Sequence, residues 1–261
     1  MGDTSPYTEL TYAEHGHVGI ITLNRPEARN ALTHTTYREL QDAVERTSAR
    51  CLVITGADPA FCSGDDVRQV MVAAGAETAQ RLSREPRITP AAAALLETDV
   101  PVVAAVNGAA VGWGMELALM ADVRVAPDRA RFGELFVKRG LCCDVAGLSP
   151  GADRRARGRR RTAVHREDHR RATARDLRLV SRVVPHEELL STAISLAEEI
   201  AGNPPLAVQA LKRGLRLAAD PDWESLGSWV SATLGELFRT DDHREGVAAF
   251  LEKREPTYRG T

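Results

Sequence analysis

Two glycine turns, each entered from an apolar run, are the segments of this sequence best suited to chemistry. The first is Pro101-Val-Val-Ala-Ala-Val-Asn-Gly-Ala-Ala-Val-Gly-Trp-Gly-Met-Glu116, where a strand-like run passes through glycines into helical spacing. Such a turn leaves the amides near Gly112, Trp113 and Gly114 outside the helical ladder, and the helix dipole behind them favours a negative oxygen. The second is Ala60-Phe-Cys-Ser-Gly-Asp-Asp66, which follows the apolar run at 51–55. Two backbone donors from separate turns are what an oxyanion hole requires. A dinucleotide loop is excluded, because Gly112-Trp-Gly114 lacks the third glycine and lies far from the N-terminus. Taken alone, the glycines also fit a packing role in which they let a helix approach a strand.

The elements that must position these turns read as α/β. Residues 8–12 and 18–23 are spaced as two strands joined by His15-Gly16-His17, and a polar loop covers 24–30. Helical spacing runs from Ala31 through Leu40, Ala43 and Val44. Short apolar strands at 51–55, 102–106 and 123–125 alternate with helices, as expected of strands covered on both faces. From Glu187 the pattern is helical only. Leu189, Leu190, Ala193, Ile194, Ala197 and Ile200 share a face, Gly202 ends it, and Pro204-Pro205 opens the next helix. Asp242 with Glu245 predicts a capping box for the last helix. These changes divide the chain into a core over 1–185 and an all-helical region over 186–261.

The chain of 261 residues, 43% hydrophobic and with a net charge of −2, belongs with globular proteins rather than collagen-like, disordered or disulfide-scaffold chains. Its four cysteines (Cys51, Cys62, Cys142, Cys143) show no metal-binding spacing, and reduced thiols in the cytoplasm are expected. No secretory signal is read at the N-terminus, and residues 100–121 are interrupted by Pro101, Asn107 and Glu116, which argues against a membrane span.

Leu23-Asn-Arg-Pro-Glu-Ala-Arg-Asn-Ala-Leu32, Ala60 to Asp66, Pro101 to Glu116, Ala130-Arg-Phe-Gly133, Ala174-Arg-Asp-Leu-Arg-Leu-Val180, Asn203-Pro-Pro-Leu-Ala207 and Glu245-Gly-Val-Ala-Ala-Phe-Leu-Glu-Lys-Arg254 follow one another along the chain. In this order they resemble the enoyl-CoA hydratase/isomerase (crotonase) superfamily. The resemblance implies a crotonase-type ββα spiral core with a C-terminal helical region that builds a homotrimer or a dimer of trimers. It implies a coenzyme A thioester as substrate, with no metal or redox cofactor and neither nucleic acid nor membrane as partner. The thioester carbonyl would accept hydrogen bonds from the amides of Asp65 and Trp113, where Trp113 replaces the usual glycine. Glu27, Ala28, Arg29, Ala60, Phe61 and Cys62 would line the coenzyme A site, with Phe250 and Lys253 arriving from a neighbouring subunit.

Which reaction follows depends on the carboxylates. Glu116 falls on the family's first catalytic glutamate, although a first-turn acid held by the dipole also fits its place. The second glutamate of the hydratase pattern lies four residues past Phe132, where this chain carries Phe136. Asp144, in Gly140-Leu-Cys-Cys-Asp-Val-Ala-Gly147, matches the aspartate base of some isomerase branches, and a turn or capping role also fits it. Double-bond isomerisation is the reading preferred here. Hydration by Glu116 and Asp144 stays open, as does an acyl-CoA-binding homologue with weak or no turnover.

One stretch breaks the resemblance. Residues 149–171 hold nine arginines and three acids, a local +6 in a chain of net −2, with only Ala152, Ala156, Ala163 and Val164 as apolar content. A polyanion patch is disfavoured because no aromatic is interleaved, and His165 with His169 lack a third metal ligand. Arginine exceeds lysine throughout the chain, 31 to 3, as in GC-rich coding sequence. A local reading-frame shift, restored near Ala172, accounts best for the composition and for the similarity that resumes at Ala174.

Overall fold

The computed structural model describes residues 6–72, 88–136, 169–170, 179–218 and 239–261. Strands β1 (Leu10–His15) and β2 (Val18–Leu23) form an antiparallel hairpin in register from Leu10↔Leu23 to His15↔Val18. Every residue of β1 as far as His15 finds a partner on β2, so the strand starts and ends later than the alternation at 8–12 predicts. Helix α1 (His34–Glu45) begins three residues beyond the expected Ala31, because Thr33 takes the N-cap. Its hydroxyl accepts the N–H groups of Thr35 and Thr36, and the Thr36 side chain accepts the Thr33 N–H in return. A cap of this kind stabilises a helix by about 1 kcal/mol.

The chain continues through β3 (Cys51–Gly56), α2 (Pro90–Glu97), β4 (Val102–Ala105), β5 (Ala109–Val111), α3 (Trp113–Met120), β6 (Val123–Pro127), β7 (Arg131–Gly133), β8 (His169–Arg170) and β9 (Arg182–Val184). Helices α4 (Leu189–Ala201), α5 (Pro205–Leu217) and α6 (Asp241–Glu252) follow. The large sheet has the order β1-β2-β3-β4-β6-β9, parallel from β2 onward, and the small sheet has the order β5-β7-β8. After β4 the chain crosses to β5, and after β6 to β7, so each turn of the chain gives one strand to each sheet. Single bridges Leu32↔Asp65 and Cys62↔Ala110 extend the same stacking to the segments after β2 and β3. This is the ββα spiral.

Side-chain alternation along the buried strands splits the interior into two cores. Leu52 and Ile54 of β3, with Val102 and Ala104 of β4, face the core shared with α1, α2 and α3. Cys51 and Val53, with Val103 and Ala105, face the other core, which Leu189, Ala193, Ala197 and Ala201 of α4 close. Helix α4 therefore covers one face of the large sheet. Each fully buried Leu, Ile or Phe adds about 1.5–3 kcal/mol of transfer free energy. The three alanines of α4 let its backbone sit close to the strands.

The capping box expected at Asp242 and Glu245 does not form. Thr240 Oγ1 accepts the His243 N–H at 3.1 Å, while the Asp242 carboxylate accepts the N–H groups of Arg259 and Gly260. Glu245 pairs with Arg254 at 2.6 Å and accepts the Thr257 N–H. Those bonds hold its carboxyl down at about 2, and both acids tie the C-terminal segment to α6. Among the described residues no helix is long and apolar enough to cross a membrane, and no group of three or more His, Cys, Asp or Glu side chains is placed to hold a metal ion.

Candidate active site

The two glycine turns meet at a cavity of about 640 Å3 whose wall includes Glu27, Ala28, Arg29, Asp65, Trp113 and Phe136. Leu32 N–H donates to Gly64 O at 2.9 Å and Asp66 N–H donates to Leu32 O at 2.8 Å. The bridge thus uses the groups on either side of Asp65, and strand alternation directs the Asp65 N–H away from Leu32. Gly64 has φ +88, and a Cβ there would lie 2.7 Å from Val111 O and 3.4 Å from Trp113 N. The backbones of the two turns abut at Gly64, and only glycine allows it.

Gly112 (φ +54) turns β5 into α3. The sequence groups its amide with those of Trp113 and Gly114, but Gly112 N–H donates to Gly133 O at 2.8 Å and belongs to the small sheet. Met115 and Glu116 are the first residues of α3 to donate back, both to Gly112 O, so Trp113 occupies the N-terminal position that lies outside the helical ladder. Gly114 packs so tightly that a Cβ would fall 2.2 Å from Cys62 O, which fixes the start of α3 against the first turn. At the other end of α3, the Arg124 guanidinium donates to the carbonyls of Ala118 and Ala121. Opposite charge at the C-terminus of the dipole adds to the anion-binding tendency at Trp113.

Glu116 sits in the first turn of α3 with 0% exposure. A second buried carboxylate, Glu134 at 1% exposure, follows Gly133, whose carbonyl holds the Gly112 amide. Sequence reasoning passed over Glu134 because it looked to Phe136, two residues on, for the second hydratase glutamate. Phe136 is on the cavity wall at 9% exposure. Asp144 lies outside the described residues, as do Cys142 and Cys143.

Of the expected coenzyme A residues, Glu27, Ala28 and Arg29 reach the cavity. Ala60, Phe61 and Cys62 have 2%, 0% and 0% exposure, so their side chains belong to the core. Their backbone positions the turn: Phe61 and Cys62 donate to Ala109 O, and Ala60 O accepts from the Asn30 and Asn107 side chains. Burial pushes the Cys62 thiol up to about 12, which leaves it protonated and without a nucleophilic role. Lys253 is exposed at the end of α6, and of Phe250 only the helical backbone is described.

Sequence reasoning also missed Arg25 and the part played by Asp66. Arg25 donates to Ala31 O at 2.6 Å and pairs with Asp66 at 3.3 Å, while Asp66 Oδ1 accepts the N–H groups of Arg68 and Gln69. The Gln69 amide and the Arg25 guanidinium hold the Asp66 carboxyl below the usual range, so the loop after Asp65 is tied by a charged anchor. Arg25 lies inside Leu23-Asn-Arg-Pro, directly before the proline, and that stretch was the available signal.

Comparison with known proteins gives a consistent set of similarities. Residues 13–261 match the family model described as enoyl-CoA hydratase/isomerase. The chain is similar to the 2,3-dehydroadipyl-CoA hydratase of Escherichia coli (34% identity, 97% of this chain and 99% of that protein). It is also similar to the enoyl-CoA hydratase EchA19 of Mycobacterium tuberculosis (33% identity, 93% of each). Among solved structures, an enoyl-CoA hydratase from Mycobacterium smegmatis superimposes with a TM-score of 0.85 at 31% identity, covering 96% of this chain and 99% of that one.

Proposed function

The chain belongs to the enoyl-CoA hydratase/isomerase family, and from that premise we propose how its residues share the reaction. The protein is an acyl-CoA enzyme of hydratase/isomerase type. An enoyl thioester enters the cavity beside Glu27–Arg29, and the family resemblance adds Ala60, Phe61 and Cys62 to its coenzyme A contacts. Its carbonyl accepts hydrogen bonds from the Asp65 and Trp113 amides, which stabilise the enolate formed when the α-proton leaves. Glu116 takes a proton at the α carbon or returns it at the γ carbon, and Asp144 is the partner acid or base. The proton removed equals the proton returned, so the double bond moves and nothing else is consumed. No metal or redox cofactor enters this scheme. Phe250 and Lys253 complete the coenzyme A site in a homotrimer or a dimer of trimers, assembled by the helical region over 186–261. The protein works in the cytoplasm.

The observation that carries isomerisation is Phe136. An apolar ring, buried to 9% exposure on the cavity wall, stands where the hydratase pattern has its second glutamate and would exclude a reacting water. Hydration is the second reading, favoured by relatives named as hydratases. Following 2-enoyl and 3-enoyl thioesters with the full-length protein separates the two. Isomerisation predicts conversion of the 3-enoyl to the 2-enoyl thioester, with Asp144→Asn losing turnover. Water addition to the 2-enoyl thioester that requires both Glu116 and Asp144 would replace isomerisation by hydration. Tight acyl-CoA binding without turnover of either thioester would remove the enzymatic reading altogether.

A further inference from the structure

We propose that Tyr37 is the positioning residue of the oxyanion hole, holding both donor residues from an element that supplies neither amide; the role rests on the function proposed above. Tyr37 lies in the first turn of α1, which is anchored by the Thr33 cap and by the Glu9 carboxylate that accepts the Thr33 and Thr36 hydroxyls. Its hydroxyl donates to Asp65 Oδ1 at 2.5 Å. Its ring meets the Trp113 indole edge to face, with centroids 4.7 Å apart and planes at 89°. One side chain therefore touches the two residues whose backbone N–H groups serve the thioester oxygen.

Each contact has a separate task. Asp65 carries a carboxylate on the same residue as a donor amide, and a like charge near a developing enolate opposes it. The phenol hydrogen bond is of the charge-assisted O–H···O⁻ kind. It fixes the carboxylate on the α1 side and takes up part of its charge, so the amide can act as a donor without its own side chain competing. The ring contact works on the other turn. Trp113 is the N-terminal residue of α3 and is 3% exposed, and the edge-to-face pair holds the indole in one orientation. With the indole fixed, the start of α3 stays in register with Gly64 and Asp65.

The test uses Tyr37→Phe, which keeps the ring and removes the hydroxyl. Turnover number is expected to fall about tenfold with KM changed less than about twofold, because a released Asp65 carboxylate opposes the charge of the developing enolate more than it opposes binding of the neutral thioester. Adding Asp65→Ala to Tyr37→Phe removes the carboxylate that needed holding while leaving the amide, and most of the lost turnover returns. The carbonyl stretch of a 13C-labelled acyl-CoA thioester bound to each protein gives a second readout that needs no turnover. Its shift to lower frequency in the wild type is expected to shrink in Tyr37→Phe and recover in the double variant. Unchanged turnover and carbonyl frequency in Tyr37→Phe would overturn the proposal, and so would a loss that Asp65→Ala does not restore. A wild type silent on both enoyl thioesters would overturn the proposed function instead, with the carbonyl frequency still reporting on Tyr37.

Discussion

Glu116→Gln lowers turnover of the preferred enoyl thioester by a factor of about 10²–10⁴, the usual contribution of a positioned acid or base. The substitution is close to isosteric and Glu116 is 0% exposed, so the surrounding packing changes little. Burying a carboxyl group costs at least as much as burying a neutral amide of the same shape, so the thermal midpoint is expected to stay unchanged or rise. KM is expected to stay within about twofold, since the proposed coenzyme A contacts lie on other segments. Steady-state kinetics alongside a thermal melt check both halves. Activity within a few fold of wild type would show that Glu116 is only a first-turn acid satisfied by the helix dipole.

Gly64→Ala has the second large effect, by a different route. The residue needs φ +88, and its Cβ would press on Val111 O at 2.7 Å, backbone against backbone. Neither atom can yield by rotating a side chain, so one turn must move away from the other. A left-handed alanine and the overpacking together cost roughly 1–4 kcal/mol of stability. The catalytic loss is larger than that destabilisation suggests, because the turns that separate carry the two proposed donors; about 10²–10³ in turnover number is expected. A folded Gly64→Ala protein that binds acyl-CoA at wild-type affinity with its turnover lost is the predicted combination. Full turnover would mean that the two turns do not act together.

The core of the fold was legible because both of its signals are strong. Uninterrupted apolar runs at 51–55 and 102–106 announce strands covered on both faces, and the structure buries every residue of β3 and β4. The glycines at 64, 112 and 114 announced close approach, and the distances at Gly64 and Gly114 bear that out. What stayed hidden depends on partners far apart in the chain. Tyr37 reads as one more residue of an amphipathic helix until the fold brings Asp65 and Trp113 to it. Asp242 and Glu245 have the spacing of a cap, yet a better set of donors arrives from Thr257, Arg259 and Gly260. The burial of the Ala60, Phe61 and Cys62 side chains likewise depends on distant partners, with the backbone of the turn bonded to Ala109 of β5 and to the Asn30 and Asn107 side chains. Of the arginine-rich stretch at 149–171, the structure describes only β8, which pairs His169 with Phe132 and Arg170 with Arg131.

The proposed function rests on the Asp65 and Trp113 amides polarising a thioester carbonyl. The most direct measurement is the infrared carbonyl stretch of a 13C-labelled enoyl-CoA bound to wild type and to Gly64→Ala. Two preorganised donors predict a clear shift to lower frequency in the wild type and its loss in the variant at equal occupancy. A bound thioester whose carbonyl absorbs as it does in water, in both proteins, would rule out polarisation by the two amides.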